Sequence, residues 1–78
     1  MLKTLNEFKL GTTGQIKKVK GERKIRRRLL DMGVTPGTTV LLRKKAPLGD
    51  PIEITIRGYE LTLRKSEAAL VLLEVEEE

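Results

Sequence analysis

Apolar and polar residues alternate most cleanly at Ile52, Ile54 and Ile56, with Glu53, Thr55 and Arg57 between and after them. A period of two puts the three isoleucines on one face of a half-buried strand. Tyr59, Leu61 and Leu63 resume the alternation after Arg57-Gly58, which predicts a hairpin closed by a two-residue turn. Val71, Leu73 and Val75 predict a last strand. Val40 and Leu42 predict an earlier one over residues 39–45, with the stem of Lys44 on the same face. From Gln15 to Lys20 the pattern is irregular. Ile16 and Val19 stand three apart, and a bulge would bring both to one side.

One stretch has the helical period. Ile25, Leu29 and Met32 recur at i, i+4 and i+7 within residues 22–32, which directs them to the core from one face. Gly33 stands where a left-handed residue ends a helix, and Pro36-Gly37 signals a turn. Thr4 and Glu7 have the spacing of a capping box, so one helical turn is expected there, with Leu2, Leu5, Phe8 and Leu10 as its anchors. Ser66 is placed to cap a second short turn. Ala46-Pro47-Leu48-Gly49-Asp50-Pro51 reads as a loop. Five short strands with one helix between the first and second predict a mainly β fold, a small barrel or a tightly curled sheet, of which the barrel would leave no edge strand open.

The chain has 78 residues, which predicts one domain spanning 1–78. A domain of this size buries only about 60% of its unfolded surface, too little to enclose a deep substrate cavity. It has neither Cys nor His. The missing disulfides point to the cytoplasm. The same two absences remove the commonest nucleophile, general base and transition-metal ligands. Ser66 is the single serine and has no base beside it, the carboxylates show no paired spacing, and no phosphate loop is present. No catalytic residue, cofactor or metal site is expected. Residues 1–10 contain no signal-peptide run, and no window reaches the roughly 20 apolar residues of a spanning helix. Any role at a membrane is expected to run through a membrane protein.

The net charge of +5 is unevenly spread. Residues 1–28 hold ten Lys/Arg against Glu7 and Glu22, while residues 29–78 hold six against nine acids and end in Glu76, Glu77 and Glu78. Arg26, Arg27 and Arg28 either face an acidic partner or form a solvated helix surface. Leu48, a large apolar residue in a proline-bounded loop, either plugs one end of the barrel or is offered to a partner. Asp31 is expected to bond to the turn after the helix, and Tyr59 to join the core. The basic half also raises an alternative, a small barrel that binds nucleic acid non-specifically. Against it, Phe8 and Tyr59 are the only aromatic residues, too few for stacking platforms.

Two segments carry a resemblance. The first is Arg26-Arg27-Arg28-Leu29-Leu30-Asp31-Met32-Gly33-Val34-Thr35-Pro36-Gly37. The second is Ala46-Pro47-Leu48-Gly49-Asp50-Pro51-Ile52-Glu53-Ile54, continuing through Arg57-Gly58-Tyr59 to Leu63-Arg64-Lys65-Ser66-Glu67-Ala68. With Leu5 and the turn at Gly11 and Gly14, their order and spacing resemble the FeoA family across essentially the whole chain. The resemblance implies an SH3-like small five-stranded β-barrel. It implies a non-enzymatic cytoplasmic accessory or regulatory module of ferrous iron uptake, monomeric or weakly homo-oligomeric. The partner it implies is the cytoplasmic part of a FeoB-like membrane GTPase transporter, with no specific nucleic acid and no direct membrane insertion. Arg26, Arg27, Arg28, Met32, Pro47, Leu48 and Asp50 are expected to form the contact region.

Overall fold

The computed structural model of the chain describes residues 1–76; Glu77 and Glu78, the end of the acidic tail, lie outside the described residues. Six strands form one antiparallel sheet: β1 (Leu2–Thr4), β2 (Thr13–Val19), β3 (Thr39–Lys45), β4 (Ile52–Ile56), β5 (Tyr59–Leu63) and β6 (Val71–Val75). Their order is β1-β6-β2-β3-β4-β5. Helix α1 (Arg23–Asp31) joins β2 to β3, and the four-residue α2 (Lys65–Ala68) joins β5 to β6. Single 3₁₀ turns cover Leu5–Glu7 and Pro47–Gly49.

The expected five-stranded closed barrel is corrected on both counts. β1 is a sixth strand, three residues long, fixed by pairing with β6 at Leu2↔Glu74, Lys3↔Leu73 and Thr4↔Leu72. The amino terminus also pairs with Glu74, and that hydrogen bond holds the Glu74 carboxyl below the ordinary carboxylate value. The outermost strands, β1 and β5, do not pair with each other. The helices lie across the gap instead. On the β5 side, the Tyr59 hydroxyl donates to the Met32 carbonyl at the end of α1. Arg28 of α1 pairs with Glu67 of α2, and α2 packs on the 3₁₀ turn that follows β1. Strands of three to seven residues and two short helices cover this core without a closing ladder.

The core holds Leu5, Phe8, Ile16, Val19, Leu29, Val34, Val40, Leu42, the three isoleucines of β4, Leu63, Ala68, Val71, Leu73 and Val75. The expected bulge in β2 lies between Ile16 and Lys18, and both Ile16 and Val19 point inward because of it. A second bulge, between Leu42 and Lys44, was not foreseen. It reverses the parity of β3, so Lys44 faces solvent rather than the core.

Helix α1 ends as its sequence indicates. Val34 N–H donates to the Leu29 carbonyl and Gly33 N–H to that of Leu30, both at 3.0 Å, with Gly33 at φ +98°. Val34 and Leu29 are both buried, completing a Schellman motif with its apolar contact. The predicted inward face is only partly realised. Leu29 is buried and Met32 half-buried, but Ile25 is 39% exposed. Only the last turn of α1 reaches the core, so a residue one turn earlier overhangs it.

Four smaller expectations also change. Leu2 and Leu10 are exposed, Leu2 on an edge strand and Leu10 at a turn tip before left-handed Gly11. Tyr59 is 43% exposed, its ring lying along Gly33 rather than entering the core. Ser66 does not cap α2. Arg64 occupies the N-cap position, its N–H donating to Glu67 Oε1 at 2.9 Å. The Glu7 carboxylate does accept from Thr4 N–H, at 3.4 Å, as a capping box requires.

Candidate functional surface

Every candidate contact residue lies on α1, at its C-cap Met32 or on the 46–51 loop, segments far apart in sequence. The loop is closed at its base, where Ala46 N–H donates to the Pro51 carbonyl at 3.0 Å. Inside it Gly49 N–H donates to the Ala46 carbonyl at 2.8 Å, which leaves Leu48 at the tip. Leu48 adopts φ 71°, ψ 7°, the left-handed region. For a residue with a branched side chain that conformation costs about 1–2 kcal/mol. Its side chain is 96% exposed. Leu48 therefore plugs nothing. Pro47 beside it is also exposed.

Asp50 is exposed and engaged within the fold. Its Oδ1 accepts from Lys65 N–H at 3.0 Å, filling one of the orphan donors at the start of α2. Arg28 is likewise engaged. It pairs with Glu67, whose other oxygen already holds Arg64 N–H. A continuous path of polar contacts thus runs from α1 through Arg28 and Glu67 to α2, and from Lys65 through Asp50 to the loop. Helix α2 is only about 6 Å long at 1.5 Å per residue. The two candidate segments are each tied to the same short helix.

The remaining candidates divide cleanly. Met32 is half-buried, and its carbonyl accepts from Tyr59. Arg26 and Arg27 are exposed, and their side chains make no ion pair or hydrogen bond among the described residues. With Arg23, Leu30 and Asp31 they line a shallow groove of about 350 Å³ along α1. Asp31 has no hydrogen bond to the following turn; Tyr59, arriving from β5, takes the carbonyl of Met32 instead.

Two features had no signal in the sequence. Glu67 links both helices, yet its partners lie 39 and 3 residues away. Arg57, at φ 50° in the β4–β5 turn, donates to Thr35 Oγ1 at 2.9 Å and Thr38 Oγ1 at 3.0 Å, tying that hairpin to the α1–β3 connection. A depression of about 630 Å³ lies at Gly11–Gln15, Thr39 and Glu74–Glu76. It carries no pairing of nucleophile and base. Among the described residues no group of three or more His, Cys, Asp or Glu could hold a metal ion. Among them, too, no helix is long and apolar enough to cross a membrane.

A family model described as the FeoA domain matches residues 3–75. The chain is 35% identical over 71 residues to an Fe(2+) transport protein A/Fe(2+) transporter FeoB fusion protein from Porphyromonas gingivalis. That match covers 91% of this chain and 8% of the length of the fusion protein. The solution structure of a FeoA-like protein from Clostridium acetobutylicum superposes with a TM-score of 0.88 at 44% identity, covering 96% of this chain and 87% of that one. The crystal structure of zinc-complexed Stenotrophomonas maltophilia FeoA, described as a prokaryotic SH3 domain protein, gives 0.80 at 30% identity, with 92% and 89% coverage.

Proposed function

From the premise that this chain belongs to the FeoA family, a family of ferrous iron transport, we propose that it is a non-catalytic accessory module that docks on the cytoplasmic part of a FeoB-type transporter. In this reading it is a cytoplasmic protein held at the inner face of the membrane by its partner. Iron is the cargo of that partner and not a ligand of this chain. The observation that carries the proposal is Leu48, an apolar side chain held almost wholly in solvent on a left-handed backbone. Folding alone gains nothing from that arrangement, whereas an apolar pocket on a partner would. A loop already closed by Ala46, Pro51 and Asp50 has little conformational entropy left to lose on binding. Pro47 flanks the anchor, and Arg26, Arg27, Arg28 and Met32 form the adjoining flank. The existence of a relative that joins transport protein A to FeoB in one chain supports physical association of the two parts.

The test is calorimetry of the chain against the purified cytoplasmic GTP-binding part of a FeoB-type transporter. The parent is expected to bind, and Leu48→Ser to bind at least about tenfold more weakly, the equivalent of losing most of one buried leucine. A parent that fails to bind removes the docking proposal. A Leu48→Ser variant that binds as tightly as the parent removes this surface from it.

A further inference from the structure

Helix α1 turns one side to the domain and the other to solvent. At 3.6 residues per turn, Arg26, Arg23, Arg27 and Lys24 fall at roughly 60°, 120°, 160° and 220° around the helix from buried Leu29. These four exposed cations share one arc of about 160°. Ile25 and Arg28 fall outside it, roughly 40° and 100° from Leu29 in the opposite sense, and there Glu67 neutralises Arg28. The side chains on the arc make no ion pair or hydrogen bond among the described residues; Glu22 and Asp31, the acids at the two ends of the helix, pair with none of them. Folding gains nothing from this arrangement. Like charges three and four residues apart, Arg23 with Arg26 and Arg27, and Lys24 with Arg27, repel along the helix. Arg23 and Lys24 also stand at the positive end of its dipole, with no acid in the first turn and no side-chain cap from Glu22.

The arc is also a groove. Arg23, Arg26, Arg27, Leu30 and Asp31, at i, i+3, i+4, i+7 and i+8, line the depression of about 350 Å³ along it. Leu30, at roughly 100°, sits between Arg26 and Arg23 and is half-buried against the core. Exposed Asp31, at roughly 200°, sits between Arg27 and Lys24. This mixture on one stripe selects the occupant. A nucleic-acid backbone or a lipid headgroup layer would bring phosphate to Asp31 as well as to the arginines, and nothing apolar to Leu30 at the same depth. A protein surface can set carboxylates against the arginines, whose guanidinium forks bind them bidentately, an apolar side chain over Leu30 and a hydrogen-bond donor at Asp31. It also meets a helix from one side, which is how these cations are disposed. We propose that this stripe of α1 is met by an acidic patch on the cytoplasmic part of the transporter, with Arg23, Arg26 and Arg27 as carboxylate contacts and Leu30 as the apolar floor. The inference rests on the docking reading above and deepens it. Leu48 holds the complex together, while the arc speeds its formation; Arg23 and Leu30 join the contact region.

The experiment measures association and dissociation rates of the full 78-residue chain on the immobilised cytoplasmic GTP-binding part of a FeoB-type transporter, at about 0.05 M and about 0.15 M salt. Parent association is expected to slow as salt rises. Arg23→Gln with Arg26→Gln and Arg27→Gln should slow it about tenfold or more at the lower salt and flatten its salt dependence. The thermal midpoint of that triple should be no lower than the parent's, because the substitutions relieve repulsion on an exposed face. Lysine at the same three positions should keep the association rate, because steering follows charge. If the glutamine triple melts early, Lys24→Gln with Arg27→Gln should still slow association severalfold. A parent that does not bind removes the docking reading and this inference with it. A parent that binds, with a glutamine triple that associates equally fast and with the same salt dependence, removes this inference alone and leaves docking through Leu48 standing. A lysine triple as slow as the glutamine triple overturns it too. So does capture of the parent, but not of the glutamine triple, by phosphatidylglycerol vesicles or short duplex DNA at the higher salt, an outcome that would assign the arc to a phosphate-bearing partner.

Discussion

Replacing Leu48 by glycine should stabilise the protein and weaken its docking at once. The left-handed backbone at Leu48 (φ 71°, ψ 7°) costs about 1–2 kcal/mol relative to a residue without a Cβ. Glycine gives back roughly 0.5–1 kcal/mol through the greater freedom of its unfolded chain. No packing is lost, since the leucine side chain is 96% exposed. The net gain is about 0.5–1 kcal/mol, and at 4–8 °C per kcal/mol for a domain of this size the thermal midpoint should rise by roughly 2–8 °C. Docking should move the other way. If the leucine is fully buried in a transporter pocket, its removal costs about 1.5–3 kcal/mol, a loss of roughly 10- to 150-fold in affinity. Scanning calorimetry gives the first quantity and titration calorimetry against the transporter fragment the second. A midpoint that falls by several degrees would show that Leu48 packs against the fold in solution. Unchanged affinity would show that the partner does not use this side chain, and the docking surface would have to be sought elsewhere.

Ile54, buried at the centre of β4, should cost about 2–5 kcal/mol when cut to alanine; thermal circular dichroism should show a midpoint lower by roughly 10 °C or more, and an unchanged melt would refute the facing of that strand. Gly33→Ala should cost about 2 kcal/mol or more, since φ is +98° and the new Cβ would lie 2.5 Å from Tyr59 Oη. Adding Tyr59→Phe removes that oxygen, so the double variant should lose less than the two single losses combined in urea denaturation; simple additivity would refute the clash. Glu67→Gln should cost less than about 1 kcal/mol, because Arg28 is largely exposed and glutamine can still accept from Arg64 N–H. Glu67→Ala, which loses both contacts, should cost about 1–2 kcal/mol and raise amide exchange at Arg64, with equal losses for the two variants refuting the capping role.

What the sequence made legible is what neighbouring residues decide among themselves. The period of two at Ile52, Ile54 and Ile56 and the Arg57-Gly58 turn define a hairpin whose registers run from Ile52↔Leu63 to Ile56↔Tyr59. The three-residue gap between Ile16 and Val19 marked the β2 bulge for the same reason. The misses belong to pairings across the chain. Three residues at Leu2–Thr4 have no period to detect and become a strand only against residues 72–74. The bulge after Leu42 leaves no irregular spacing, because the residues beyond it are charged and exposed in either parity. Ile25 obeyed the helical period, but periodicity cannot tell how far along a helix the core extends.

The contact region was legible in part for the same reason, and the difference separates residues that hold the surface from residues it can offer. Arg28 and Asp50 looked like free charges because their partners, Glu67 and Lys65, lie 39 and 15 residues away. Those partners both belong to α2, so the contacts that bring α1 and the loop to one surface also occupy these two side chains. The charge of Arg28 is compensated by Glu67 and contributes little to long-range attraction, whereas Asp50 accepts from a backbone N–H and keeps its charge. Substituting either would perturb the position of the loop before it perturbed a partner. What remains unengaged is Leu48 with Pro47 at the loop tip, and Arg26 and Arg27 on α1. An effect of Arg28→Glu on binding would therefore carry two causes, a changed surface charge and a new repulsion against Glu67. Arg27→Glu carries only the first. The comparison of those two variants, rather than either alone, separates steering by charge from the rigidity of the loop that presents Leu48.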